Sequence, residues 1–271
     1  MINYNLKSAI EEYCHAQNES RWRGNFQSFT LHSGRPRAQD WRNRPKLQII
    51  ISLLGSSTVG KSCLVSNIEY GQFQANYRPR VTLGVDVFFF YIDRLFEDEY
   101  VVIIQINDCP GNDRFEAVSD RHFRNCHGAV LMVDTTSIET LDRLQGYWYK
   151  QLREKSVFDH AETVLACNKI DLLEKDEHLP FREQFFKRAD LFASQNQIPV
   201  FNISALRGDN VQNMFHHLIS RILQNPDLIR YLKANQIKPD ERERPTTHIS
   251  TIKLPVPSEV PSRNKKSPCH C

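Results

Sequence analysis

The stretch KLQIIISLLGSSTVGKSCLVSNIEY, residues 46–70, constrains the fold more than any other part of the chain. Its opening, KLQIIISLLG, is a nearly continuous apolar run that stops at glycine, the pattern of a buried strand. Its close, SCLVSNIEY, has helical spacing. Between them GSSTVGKS, residues 55–62, fits the spacing G-x-x-x-x-G-K-[ST]. Strand, tight glycine loop and helix in that order form a cradle for phosphate. Gly55 and Gly60 let the backbone wrap closely. The successive N–H groups of Ser56, Ser57, Thr58 and Val59, with the helix start at Lys61, Ser62 and Cys63, favour anionic oxygens. Lys61 reaches the β- and γ-phosphates, and the Ser62 hydroxyl can ligate Mg²⁺. The bland alternative is a chance match in a Gly/Ser turn, against which the flanking strand and helix both argue.

The same alternation continues downstream. VDVFFFYIDR and EYVVIIQIND are two β-rich runs separated by the charged segment LFEDE, as in a hairpin. GAVLMVD, ETVLACNK and IPVFNIS are further short apolar runs. Helix-like segments, SIETLDRLQGYWYKQLREK, FREQFFKRADLFASQ and DNVQNMFHHLISRILQ, lie between and after them. Strands alternating with helices imply an α/β domain on a mainly parallel sheet. The domain is expected over residues 46–235. Residues 1–45 read as a flexible basic extension, with Trp22, Phe26, Phe29 and Trp41 interleaved among arginines. A patch for nucleic acid or anionic lipid is one reading of that arm, and a plain solvated extension is the other. Residues 236–271 are rich in Pro and Ser with no core-forming period, and read as a tail.

Three more short patterns carry chemistry. NDCPGNDRF, residues 107–115, is a turn by composition, yet Asp108 ends a strand and Gly111 follows at the spacing Asp-x-x-Gly. After a phosphate loop, that spacing offers a carboxylate to the metal and an N–H to a γ-phosphate. In NKID, Asn168, Lys169 and Asp171 follow an apolar strand. The Asp171 carboxylate can accept from guanine N1–H and its exocyclic amine, a donor pair adenine lacks. In SAL, Ser204, Ala205 and Leu206, the Ala205 N–H is suited to guanine O6.

These four motifs in this order resemble the Ras superfamily of small GTPases, over roughly residues 46–224, and lie nearest the Rab branch. TLGVDV at 82–87 is similar to the Rab switch I, and RFEAVSDRHFRNCHGAVLMVDTTSIETL to the segment from switch II into the following strand and helix. The resemblance implies a six-stranded, mainly parallel sheet with about five helices. It implies GTP hydrolysis with Mg²⁺ held by Ser62, Thr82 and Asp108, with Lys61, Thr82, Gly111 and Asn112 as the catalytic set. Phe73 is the aromatic expected to stack on guanine. The partners implied are an exchange factor, a GTPase-activating protein, a GDP-dissociation inhibitor or escort protein, and effectors, around a monomer. The terminal Cys269-His270-Cys271, after Arg263, Lys265 and Lys266, resembles Rab tails that take two geranylgeranyl groups. A chance cysteine pair or half a zinc site is the alternative. The place implied is the cytoplasmic side of an intracellular or plasma membrane, with a cytosolic pool.

Composition is compatible with this. The net charge of +3 is too small to indicate a nucleic-acid binder, and seven scattered cysteines fit a reducing compartment better than a disulfide framework. No apolar run reaches the ~18–20 residues that span a bilayer, and the N-terminus has no apolar signal core.

The chain also departs from the family. Asn107, Cys109, Pro110 and Asn112 stand where relatives have Trp, Thr, Ala and Gln, and Thr58 where many have Gly or Ser. The three aromatic residues that Rabs show to effectors correspond to Val87, Asn107 and His122, none of them aromatic in the family's way. Phe88, Phe89 or Phe90 could supply a shifted surface. Asn112 carries the glutamine's amide on an arm shorter by one methylene, which predicts slow hydrolysis. A GTP-binding scaffold that scarcely hydrolyses is therefore the second reading. A P-loop ATPase or nucleotide kinase is the third, disfavoured by NKID.

Overall fold

A computed structural model describes residues 31–33, 44–70, 82, 84–95, 100–112, 122–157, 161–174 and 179–237. In chain order the strands are β1 (Leu31–Ser33), β2 (Lys46–Leu54), β3 (Asp86–Leu95), β4 (Tyr100–Asp108), β5 (Gly128–Asp134), β6 (Glu162–Asn168) and β7 (Val200–Asn202). The helices are α1 (Lys61–Tyr70), α2 (Ile138–Arg143), α3 (Tyr149–Lys155), α4 (Leu179–Asn196), α5 (Val211–Gln224) and α6 (Pro226–Ala234). A π-helical turn at Leu144–Trp148 makes α2 and α3 one continuous rod. A 3-10 turn covers Ile170–Glu174.

All strands join one sheet in the order β1-β3-β4-β2-β5-β6-β7. β2 pairs in parallel with both β4 and β5, and β5, β6 and β7 continue in parallel. β3 and β4 form the expected antiparallel hairpin. The six strands read from the sequence are all present. A seventh, β1, comes from the extension read as flexible, and pairs antiparallel with β3. The chain leaves central β2 first toward β4 and later toward β5. That reversal opens a crevice at the carboxyl ends of the strands, where open α/β sheets take their ligands.

The sheet is buried on both faces by two apolar clusters. Leu47, Ile49, Ile51 and Leu53 alternate along β2 into one cluster, with Leu64 and Val65 of α1 and with Phe215, Leu218 and Ile222 of α5. Leu131 and Val133 of β5 and Leu165 of β6 enter the other, with Trp148 and with Phe185 of α4. Such alternation follows from the two-residue period of a strand. After α5, Asn225 accepts from the N–H groups of Asp227 (3.1 Å) and Leu228 (3.2 Å), and Pro226 opens α6. An Asn cap followed by Pro at the first helical position is a strong start signal. Ile237 then exchanges two backbone hydrogen bonds with Lys46, each 3.0 Å, closing the domain on its first long strand.

Candidate functional site

The phosphate loop leaves β2 and passes against its neighbour. A Cβ on Gly55 would lie 2.3 Å from the Met132 carbonyl oxygen, and one on Gly60 2.3 Å from Asn168 Nδ2. Gly60 also has φ +102°, so glycine is required there on both counts. Thr58 has φ +65°, a left-handed conformation that is costly for a β-branched residue. Its side chain and that of Ser57 are exposed, whereas Val59 is buried.

Lys61 opens α1 and is buried, its Nζ donating to the Gly55 and Ser56 carbonyls at 2.8 Å each. Burial pushes its pKa down to about 8, against the upward pull of Asp108 and Cys109. Next to it Ser62 Oγ donates to Asp108 Oδ2 at 2.5 Å and lies 3.1 Å from Thr82 Oγ1. The start of a helix, the residues before β3 and the end of β4 thus bring three oxygen groups together, the set the sequence assigned to a metal. Asp108 Oδ1 is buried without a hydrogen-bond partner. Burial raises the carboxyl's pKa to about 6, against the lowering by Ser62 and Lys61. Two hydroxyls and a desolvated carboxylate with an unspent oxygen fit a hard cation such as Mg²⁺, which takes few protein ligands and completes its shell with phosphate and water.

The loop after Asp108 folds back on the phosphate loop. A Cβ on Gly111 would meet Ser57 N at 2.4 Å and Lys61 Nζ at 2.6 Å. The sequence placed Gly111 at a γ-phosphate, and the structure places it against the Ser57 N–H and Lys61 amine. Cys109 and Pro110 are buried, while Asn112 is half-buried. Cys63, half-buried, packs on the core from the first turn of α1.

On the base side, the Asp171 carboxylate accepts from Ser204 Oγ at 2.6 Å. The Ser204 hydroxyl also accepts from the Arg207 N–H at 3.1 Å, which fixes its direction. Asn168, expected as a nucleotide contact, bonds on both sides within the protein. Nδ2 donates to the Val59 carbonyl (2.7 Å) and Oδ1 accepts from Ala205 N (2.8 Å). Asn168 therefore ties the phosphate loop to the base loop. The Ala205 N–H, expected at guanine O6, makes that tie in this structure. Leu206, beyond it, is exposed. Lys169 has φ +70° and pairs with Asp134 at 2.5 Å.

Sequence reasoning passed over Asp134 and Thr135. Thr135 donates to the Asn168 carbonyl from both its N–H (3.0 Å) and its hydroxyl (2.9 Å). The available signal was an ionisable residue ending the otherwise apolar GAVLMVD. Phe73, Cys269 and Cys271 lie outside the described residues.

The three positions expected to face effectors separate clearly. Val87 is 42% exposed, whereas Asn107 is buried and accepts from Gln105 Nε2 at 2.8 Å. Gln48 Nε2 donates in turn to Gln105 Oε1 at 2.6 Å. His122 is half-buried and its carbonyl accepts from Ser52 Oγ at 3.0 Å. Of the three phenylalanines, Phe90 is in the core and Phe88 packs against it, while Phe89 is 46% exposed, two residues from Val87.

A glycine loop at a topological switch, three metal-suited oxygens and a carboxylate at the base loop define a P-loop nucleotide-binding protein. The Ras family model matches residues 50–224. The chain belongs to the Ras family. It is 29% identical over 224 residues to the GTP-binding protein ypt3 of Schizosaccharomyces pombe, covering 80% of this chain and 93% of that protein. Human Ras-related protein Rab-30 is 28% identical over 220 residues, covering 81% and 94%. Ras-related protein RABA1g of Arabidopsis thaliana is 32% identical over 176 residues, covering 64% and 73%. The chain is a Rab-like small GTPase by this measure.

Proposed function

We propose that this chain is a membrane-anchored GDP/GTP switch of vesicle traffic whose intrinsic hydrolysis is slow. The observation that carries guanine binding is the Asp171 carboxylate, oriented by Ser204 in a segment that Asn168 ties to the phosphate loop. Lys61 grips the β- and γ-phosphate oxygens in place of the Gly55 and Ser56 carbonyls. Ser62, Thr82 and Asp108 hold Mg²⁺, which when bound neutralises charge on the β- and γ-phosphate oxygens. Thr82 and the Gly111 N–H report the γ-phosphate, so that switch I and switch II order with GTP and relax with GDP. Asn112 presents the attacking water from a shortened arm. Phe73 stacks on the base, and Leu206 lies at its rim.

Geranylgeranyl groups on Cys269 and Cys271 supply the membrane anchor, with exchange factor, GTPase-activating protein, GDP-dissociation inhibitor or escort protein, and effectors as partners. The second reading, a GTP-bound scaffold with little hydrolysis, is favoured specifically by Asn112 beside Pro110.

Two experiments test the proposal. Competition by ATP, GTP and GDP for bound nucleotide should show guanine preference in the wild type. In Asp171→Ala that preference should vanish, with guanine affinity reduced by roughly 2–3 kcal/mol for a lost charged hydrogen bond. Unchanged GTP affinity would show that NKID does not read the base. For the anchor, Cys269→Ser with Cys271→Ser should move the protein from membrane to cytosol on fractionation. Retention on membranes, with release on removing residues 1–38 instead, would transfer the anchor to the N-terminal extension.

A further inference from the structure

β5 and β6 end side by side, with Asp134 opposite Asn168 in the last pair of their ladder. Just beyond, Thr135 is fully buried and donates twice to the Asn168 carbonyl, from its N–H (3.0 Å) and its hydroxyl (2.9 Å). That fixes the backbone at the point where Lys169 turns left-handed, with φ +70°, a conformation that a lysine does not adopt by preference. Asp134 is buried and both of its carboxylate oxygens are engaged. Oδ1 accepts from the Thr136 N–H (2.9 Å) and hydroxyl (2.7 Å), and Oδ2 accepts from Lys169 Nζ at 2.5 Å. The turn is thus held through its backbone by Thr135 and through its ammonium by Asp134.

An ammonium at this place has a second carboxylate nearby in the chain. Asp171 is two residues from Lys169, and a lysine carries its charge on a long, flexible stem. A carboxylate that reads a base must offer its lone pairs to the base, and an ammonium paired with it would occupy them. We infer that Asp134 is a positioning residue of the base site: it holds the Lys169 ammonium on the β5 side, away from Asp171, and so keeps the Asp171 carboxylate open to the guanine donors. This role rests on the guanine reading proposed for Asp171. It adds that base recognition depends on a competition between two carboxylates for one cation. Asp134 wins that competition because Thr136 has already ordered it, so little freedom is lost when the lysine pairs.

The test is a double-mutant cycle on the full chain, loaded with a fluorescent GDP and chased with excess unlabelled GDP. Asp134→Asn keeps an amide oxygen for Thr136 but presents no charge to Lys169. The labelled GDP should then dissociate about tenfold faster than from wild type, the order of one charge-assisted hydrogen bond. In a Lys169→Gln background there is no ammonium to hold, and adding Asp134→Asn should change the rate by less than about twofold. Equal acceleration in both backgrounds would mean that Asp134 supports the fold of the turn rather than the lysine. No acceleration in either would mean that it holds nothing the base site needs. Each result overturns the positioning role. If Asp134→Asn alone takes up no nucleotide, loading restored by the added Lys169→Gln supports the same coupling, and failure of both variants to load overturns it. Displacement of labelled GDP from wild type by ADP as readily as by GDP would instead remove the guanine reading itself.

Discussion

Asn112 differs from glutamine by one methylene, a reach shorter by about 1.3–1.5 Å. Misplacing a positioning group by ~1 Å costs on the order of 100-fold in rate. The backbone is poorly placed to make up the difference. Pro110 fixes φ two residues earlier, and Gly111 is pressed against Ser57 and Lys61 with no room for even a Cβ. Asn112→Gln should therefore raise single-turnover GTP hydrolysis roughly 10- to 100-fold, read as phosphate release, with GTP affinity unchanged. A rate equal to wild type would show that the water is positioned by another group, or that no side chain at 112 reaches it. Thr58 shows a different compromise. Its left-handed backbone stores strain of order 1 kcal/mol in the phosphate loop, which tight phosphate binding can hold in place.

The rod formed by α2, the π turn and α3 shows how an element keeps its packing while carrying an irregularity. Leu141, Leu144, Trp148 and Leu152 all remain buried along it, and the Tyr149 N–H bonds to the Leu144 carbonyl, five residues back. Gly146 sits in that turn, exposed, without a left-handed φ and with nothing within 4 Å of a Cβ. Gly146→Ala should stabilise the protein by about 0.5–1 kcal/mol, seen as a higher urea midpoint at unchanged slope. A lower midpoint would mean that the turn needs glycine's freedom. The sequence was most legible where burial enforces a simple period: GAVLMVD is β5 residue for residue, and the hairpin of β3 and β4 was plain from its two β-rich runs. It was least legible where the deciding partner is distant in the chain. β1 is a strand only because β3 offers an edge, and LHS has no period of its own. The Asn168–Ala205 bond spans 37 residues, so composition could name both residues but not the commitment of one to the other. α6 was legible and missed, since Asn225, Pro226 and Asp227 carry the cap, first-turn proline and acidic residue of a helix start.

At the scale of the molecule, two histidines are buried under the sheet and make stability depend on pH. His127 stands just before β5, its Nδ1 accepting from the Ile50 N–H at 2.9 Å, with its ring 5.8 Å from that of Tyr231 in α6. It thus links the central strand to the last helix. Burial lowers its pKa to about 4, and burial, with a smaller push from His217, lowers that of His216 in α5 to about 4. A histidine whose folded pKa lies below its ordinary 6.5 stays neutral in the fold while the unfolded chain takes up a proton. Its contribution is present above pH 6.5 and is lost as pH falls toward 4. Asp108 runs the other way. With its pKa raised to about 6, the folded state holds the proton that the unfolded chain gives up between pH 4 and 6, so falling pH stabilises. Among the described residues, His127, His216 and His217, all lowered by burial, outweigh the raised Asp108 and leave a net loss on acidification. The contribution of His127 can be isolated with His127→Asn, since the amide oxygen can accept from Ile50 without titrating. The variant should be less stable than wild type at pH 7, having lost the ring contact with Tyr231. Between pH 7 and pH 5 its unfolding free energy in urea should fall by about 1–2 kcal/mol less than that of wild type. Equal falls in the two proteins would mean that His127 accepts its proton in the fold as readily as in the unfolded chain, and that the bond to Ile50 does not hold it neutral.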